Sequence, residues 1–474
     1  MHNKFELPWL EVNKAIAQRK KEVKLAIAES GYQFENKNAL SNVVIDAFHG
    51  EMHYGQDIHA VTALNKAWTD IISEGQEKYF RHNKKQPEDL QLVANSHLFD
   101  RLQNPEIEGV RGLNIPHKDI VVVPYSSTQL TINALLRRPK KNCDIALCPE
   151  GFYKGNAELA ASAGLRIKTF PVSFDNDGCI IPEILDEYLT YYQPELAVLW
   201  LTMPGNPLIA QHSKVQLEQI ARIVVKHNVD IFIDMLFDKM VPKGEYISFS
   251  NIQITDEQGN IHRIYDKTLI VAGNSKGFNA TGPWKMGAAI SGNTLWLAET
   301  REQSTAVTFQ RETTHLIYAA TANTTEEYIL KNQKDMINRQ QITDKIIATI
   351  NERFEEEVLI SYGKPKYGPF RGIRFCYELL EKAGIEDSWQ LADFMLASAG
   401  IETVDFTTIG TNKLGIRINV ACPRIGGDKN PDNLLQLFNR LAYLIDEIKM
   451  GLTYDKGLKR IGINEKVNIN SYKL

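Results

Sequence analysis

The sequence predicts an α/β fold: a mostly parallel central sheet with helices on both faces, joined to a smaller α+β domain. Three observations predict it. Between about Asp119 and Gly292, short β-branched runs alternate with amphipathic helical patterns. Those runs are continuously apolar, as strands buried on both faces must be, and such strands separated by helices form parallel sheets. Beyond about residue 330 the alternation gives way to a long charged helical region and then to short strands.

In chain order, DIVVVPY is a strand that runs into a helix through TQLTINALL. DIALCP follows, with a helix that closes at Gly164, then RIKTFPV and a helix after Pro182. ELAVLWLT, a helix from Ser213 to about His227, DIFIDM and KTLIVAG complete the alternation. The smaller domain reads as the charged helical region, GIRFCYELL, a helix near 388–399, GIETVDF and LGIRINVAC. The expected division is an N-terminal segment over the site (1–50), a large domain (51–330), a small C-terminal domain (331–450) and a loosely held polar tail (451–474). The charge run RKKEVK at Arg19–Lys24 reads as a solvated helix face.

A chain of 474 residues is long enough for one large and one smaller domain. Its net charge of −4 argues against a polyanion-binding surface, so nucleic acid is not an expected partner. Five cysteines without CxxC spacing read as reduced thiols rather than a disulfide framework. The N-terminus is charged and lacks the apolar stretch of roughly 7–15 residues that a signal peptide needs. No run approaches about 18 apolar residues, so no membrane-spanning helix is expected and a cytoplasmic protein is.

Polar residues collect at the carboxyl ends of the strands, where open α/β sheets place their sites. Lys276, in GNSKGFNATGPWKMG, directly follows an apolar strand. Desolvation there lowers a lysine's pKa and frees its amine to attack an aldehyde. Asp234 ends DIFID, so its carboxylate emerges from a buried strand and needs a cation or several donors. A protonated pyridine nitrogen would serve. Asn206 in MPGNPL is placed to hydrogen-bond a phenolic oxygen. Ser126, Ser127 and Thr128 open a helix whose N-terminus suits a phosphate. Each has a plain structural alternative: a solvated lysine, a helix-capping Asp, an Asn-Pro turn, an ordinary Ser/Thr cap.

Taken together and in this order, the residues resemble the fold-type-I pyridoxal 5′-phosphate (PLP) family over roughly residues 40–445. The resemblance implies that Lys276, preceded by Ser275, forms the Schiff base with PLP and that Asp234 pairs with the pyridine nitrogen. It implies that Tyr153 stacks on the ring and that Ser127, Thr128 and Lys285 hold the phosphate. Arg417, in LGIRINVACPR, matches the arginine whose planar fork binds the substrate α-carboxylate. Tyr54, in HYGQD, matches a tyrosine that reaches a neighbouring subunit's cofactor, which implies a homodimer.

Three departures from the aminotransferase pattern stand out: Phe237 replaces a tyrosine, Lys285 an arginine, and the phosphate turn reads YSST without its glycine. They resemble one branch, the PLP-dependent L-arginine oxidases and hydroxylases. That resemblance implies an N-terminal Asp and His over the site, here Asp46 and His49 or His53. It further implies a substrate deprotonated to a quinonoid, whose electrons pass to dioxygen while ammonia and a 2-oxo acid leave. An acid expected three positions before the lysine is Gly273, so Asp46, Glu51 or Asp57 would have to meet a guanidinium. His49 and His53 could also ligate a metal, but no third ligand is evident, and none is expected. The expected function is thus an oxygen-using oxidase or hydroxylase of L-arginine or a similar cationic amino acid. The alternative is a class I/II aminotransferase passing the amino group to a 2-oxo acid.

Overall fold

The alternating strands and helices build one central sheet. Its strands are β1 (Val121–Pro124), β2 (Ile145–Pro149), β3 (Arg166–Phe170), β4 (Leu196–Thr202), β5 (Ile231–Met235), β6 (Thr268–Gly273) and β7 (Met286–Ser291). They lie in the order β1-β7-β6-β5-β4-β2-β3. β7 is antiparallel to both neighbours, and the remaining pairs are parallel. The structure is a computed structural model that describes residues 9–34, 44–52, 54–75, 82–83, 85–206, 208–306, 309–421, 424–425 and 433–464.

Successive residues of each strand feed two different cores. Leu199, Leu201, Ile231, Ile233 and Ile270 pack into one cluster, while Val198, Trp200, Phe232, Leu269 and Val271 pack into the other. Each such side chain is worth roughly 1.5–3 kcal/mol buried rather than exposed, which is why the strands carry no polar face. β7 is not among the strands the sequence predicts. Its run MGAAIS is small through Gly287, Ala288 and Ala289, and at Gly287 it passes under the first turn of the helix Ser127–Leu136. A Cβ on Gly287 would lie 2.7 Å from the Cα of Ser127.

The smaller unit is an antiparallel sheet in the order Leu359–Tyr362, Phe370–Phe375, Ile416–Asn419, Val404–Asp405, backed by the helices Ser388–Ala399 and Asn433–Lys449. The N-terminal segment belongs to this side. Ile45–Asp46 pairs in parallel with Ile401–Glu402 and antiparallel with Arg424–Ile425.

Two expectations are corrected. The helix Trp9–Ser30 is solvated along only part of RKKEVK: Lys21 and Glu22 are exposed, whereas Arg19 and Val23 are buried, and Arg19 Nε donates to Asp393 Oδ2 at 3.0 Å. The tail is packed as far as Ile461. The helix Tyr454–Arg460 buries Tyr454 and Leu458, and the Tyr454 hydroxyl donates to Asp393 Oδ2 at 2.7 Å. Tyr454, Leu458 and Ile461, spaced i, i+4 and i+7, join the core of the smaller unit. Residues 465–474 lie outside the described residues. Among the described residues no helix is long and apolar enough to cross a membrane.

Candidate active site

A cavity of about 400 Å³ opens at the carboxyl ends of β5 and β6, between the sheet and the smaller unit. Ser126, Ser127, Thr128, Tyr153, Asn206, Asp234, Ser275, Lys276, Lys285 and Arg417 all line it. Residues scattered over almost 300 positions of sequence therefore meet, as the strand-end rule requires.

The turn before the helix Ser127–Leu136 is shaped by backbone as much as by side chains. Tyr125 takes a left-handed conformation (φ 76°), and its N–H donates to the Lys285 carbonyl at 2.6 Å. Ser126 caps the helix by accepting from the Thr128 N–H at 3.0 Å. The helix N-terminus therefore faces the cavity, a ready anion site.

Lys276 leaves β6 at its end and is mostly covered. Burial, then the charges of Arg417 and Lys285, hold its amine below the ordinary lysine range, against the pull of Glu51 at 3.4 Å. Asp234 is buried, and among the described residues nothing hydrogen-bonds to its carboxylate. Burial pushes it up to about 7, with Lys276 pulling the other way. A buried carboxylate without a donor is a poor structural device and a good receptor for a cation.

Arg417 is buried and fully oriented. One Nη donates to Asn206 Oδ1 at 3.1 Å, the other to the Phe48 carbonyl, and the guanidinium lies over the Phe370 ring at 4.2 Å. Phe237 packs edge-on against Phe370, with centroids 5.4 Å apart. The phenylalanine that stands in place of the expected tyrosine thus builds the platform beneath the arginine. Position 273 is equally a packing position. A Cβ there would meet Leu236 Cδ2 and the Met286 carbonyl oxygen at 3.1 Å.

Over the lysine lies the segment Phe48–Glu51. Asn419 clamps it, its Nδ2 donating to the carbonyls of His49 and Glu51 at 2.8 Å each. A Cβ on Gly50 would lie 3.4 Å from Lys276 Nζ. His49 lines the cavity, with Nδ1 2.5 Å from Asp46 Oδ2. That hydrogen bond raises the His49 pKa, and it holds Asp46 low although burial opposes it. Asp46 itself sits behind His49.

Two expected residues lie elsewhere. The Tyr54 hydroxyl donates to Asp335 Oδ2 at 2.7 Å, so in its own chain it serves the helix Glu326–Phe354 and not the cavity. Asp57 is a cap, accepting from the His59 and Thr325 N–H groups at 2.9 and 2.6 Å. His53 lies outside the described residues. Asn419, Lys154 and the Phe48 carbonyl are absent from the sequence-based site. Asn419 is within reach of the same reasoning, because in LGIRIN it follows Arg417 by two and must share its strand face.

PLP fits these residues. The donor-free Asp234 carboxylate answers a pyridinium, the helix N-terminus with Ser127 and Thr128 answers a phosphate, and Lys276 answers an aldehyde. The Asp234 assignment carries a testable sign. An acid raised to about 7 stabilises the folded chain fully below the unfolded carboxylate pKa of about 4, and that stability is lost as pH rises through 7. Cofactor-free Asp234→Asn should therefore melt on the order of 2–4 °C above the parent at pH 8. The difference should shrink toward pH 5, and PLP affinity should fall. Thermal melts at the two pH values check it; a lower melting point at pH 8 would sink it.

The profile of the family described as aminotransferase class I and II matches residues 94–424. The aromatic-amino-acid aminotransferase 2 of Thermococcus litoralis is 22% identical over 65% of this chain and 74% of its own length. The bifunctional aspartate aminotransferase and glutamate/aspartate-prephenate aminotransferase of Petunia hybrida is 28% identical, but over only 36% of this chain and 33% of its own. Among solved structures, the aspartate aminotransferase of Rhizobium meliloti superposes with a TM-score of 0.68 at 18% identity, covering 92% of this chain and 95% of that one. The aromatic aminotransferase of Pyrococcus horikoshii gives 0.67 at 20%, covering 86% and 96%. At such identities the structures speak for the fold alone. The relatives' names overturn the expectation of an oxygen-using oxidase or hydroxylase of arginine. Of the departures that prompted it, Phe237 has a physical reason of another kind, supporting Arg417 through Phe370; position 273 has no room for an acid, and Asp57 is committed to a helix end.

Proposed function

The chain belongs to the PLP-dependent aminotransferase class I and II family, and from that premise we propose that it moves the α-amino group of an amino acid onto a 2-oxo acid. The observation that carries the reading is the convergence of Lys276, Asp234 and Arg417 on one cavity. When bound, the cofactor supplies an aldehyde that takes up the amino group and a ring that draws electrons from the α-carbon.

The chain's own residues do the rest. Arg417, held by Asn206, binds the α-carboxylate through its fork and so fixes which bond of the α-carbon faces Lys276. Lys276 Nζ, its pKa lowered by burial, takes the α-proton. Asp234 would keep a positive charge on the ring nitrogen. Ser127, Thr128 and Lys285 would hold the phosphate, Tyr153 would lie against the ring, and Ser275 completes the wall beside the lysine. His49, oriented by Asp46, exchanges protons with the incoming ammonium. The segment Phe48–Glu51 keeps bulk water off Lys276. A second copy of the chain belongs to the proposal, because Tyr54 does not serve its own cavity. Ile58, Trp68 and Ile72, on the helix that begins four residues later, are more than half exposed.

The test is a half-reaction. An amino acid added without an acceptor should give one equivalent of 2-oxo acid per site, and a second 2-oxo acid should restore the starting absorbance. Oxygen uptake with repeated turnover in the absence of an acceptor would reject the reading, as would no amino transfer across the twenty amino acids.

A further inference from the structure

Lys154 stands out among the cavity's charged groups. It lines the cavity beside Tyr153 and is half-buried. Among the described residues its ammonium makes no hydrogen bond and no ion pair. It lies instead against the face of Phe48, 3.8 Å from the ring centroid. Burial, then the charge of Arg417, holds its pKa below the ordinary range. Asp405, Glu158 and Glu402 offset this only at a distance. Lys20 crowds the same ring at 4.1 Å, but its ammonium donates to the Thr403 carbonyl at 2.5 Å. The structure thus places a covered cation next to a second one and gives it no anion of its own. Such an arrangement costs stability and persists where a ligand relieves it.

The cavity is also polarised. The charged neighbours of Glu51 are Lys276 and His49, where an amino group arrives. Those of Lys154 include Arg417, where a carboxylate arrives. We infer that Lys154 binds a second, side-chain carboxylate of the substrate, so that the enzyme favours dicarboxylic amino acids and 2-oxo acids. This rests on the aminotransferase reading, since it takes Arg417 as already occupied by the α-carboxylate. The interaction is a charge-assisted hydrogen bond in a partly dehydrated site, strong enough to set preference between substrates of similar size.

Equilibrium binding to the PLP-loaded enzyme tests it, with glutarate as dicarboxylate and butyrate as monocarboxylate, each titrated by calorimetry. The parent should bind glutarate at least about tenfold more tightly than butyrate. Lys154→Gln should remove most of that ratio, Lys154→Arg should keep it, and Lys154→Glu should reverse it. Melting temperatures establish that each variant is folded. The inference is overturned if the parent shows no preference, or if the ratio is the same in Lys154→Gln. It is also overturned if both acids weaken equally, which would leave Lys154 as a clamp on Phe48 only. Failure of the aminotransferase reading would look different: no variant would transfer an amino group, whatever the binding ratio.

Discussion

Replacing Lys276 by alanine is expected to lower kcat by about ten-thousand-fold or more, because in the proposed reading one amine serves both as cofactor anchor and as the base at the α-carbon. The fold should survive the change. Lys276 pairs with Glu51, whose side chain is 56% exposed, so water replaces the lost charge. With one partner exposed and the charged form of the other already disfavoured by burial, losing the pair costs little stability. Single-turnover kinetics with a melting curve on the same preparation separates the two effects. Turnover within a hundredfold of the parent would mean that another group takes the α-proton. Among the described residues, His49 would then be the first to examine.

Arg417→Gln is the second large effect, and its signature differs. The mutation removes the fork proposed to meet the α-carboxylate and strands two acceptors, Asn206 Oδ1 and the Phe48 carbonyl. The amino acid KM should rise about a hundredfold, with a smaller fall in kcat, since the carboxylate is bound before and during the proton transfer. Arg417→Lys should recover little of this, because an ammonium offers no planar fork and stacks less well on Phe370. Leaving a buried acceptor unmet costs about 1–3 kcal/mol, so a lowered melting point should accompany the change. Steady-state kinetics over a range of amino acid concentration decides it. A KM within threefold of the parent would remove Arg417 from the substrate site.

Both residues are legible in the amino-acid sequence for a physical reason. Asp234 lies at the end of a continuously apolar strand and Lys276 just beyond another, and strands of that kind deliver the polar residues there to the carboxyl end of the sheet. Arg417 is legible for a related reason, lying in a short strand with an alternating face. What stays hidden depends on contacts the sequence does not encode locally. The middle of β7 is made of small residues, Gly287 lying where the helix Ser127–Leu136 crosses it closely, and small residues carry no strand signal. The Phe48 carbonyl meets Arg417 through backbone, which any residue type could supply. Phe237 reads in the sequence as a change of chemistry, whereas its ring is a change of packing. A substitution at a functional position does not declare which of the two it is. The charged N-terminal helix and the polar tail mislead for one reason: each sends a polar side chain, Arg19 or Tyr454, into the interior against Asp393, and composition does not announce that burial.

The pairing of Ile45 with Ile401 and Ile425 also says something about the order in which the molecule can be made. During synthesis the chain emerges from its N-terminus, at about 5–20 residues per second. The sheet and the lysine at its edge are complete once Ser291 has been made. The roof segment, translated earlier than either, has no strand to join until residues 401–425 arrive. For that interval a nascent chain carries its reactive amine beneath an open sky, and the last step of building the site is the docking of one of its first-made parts.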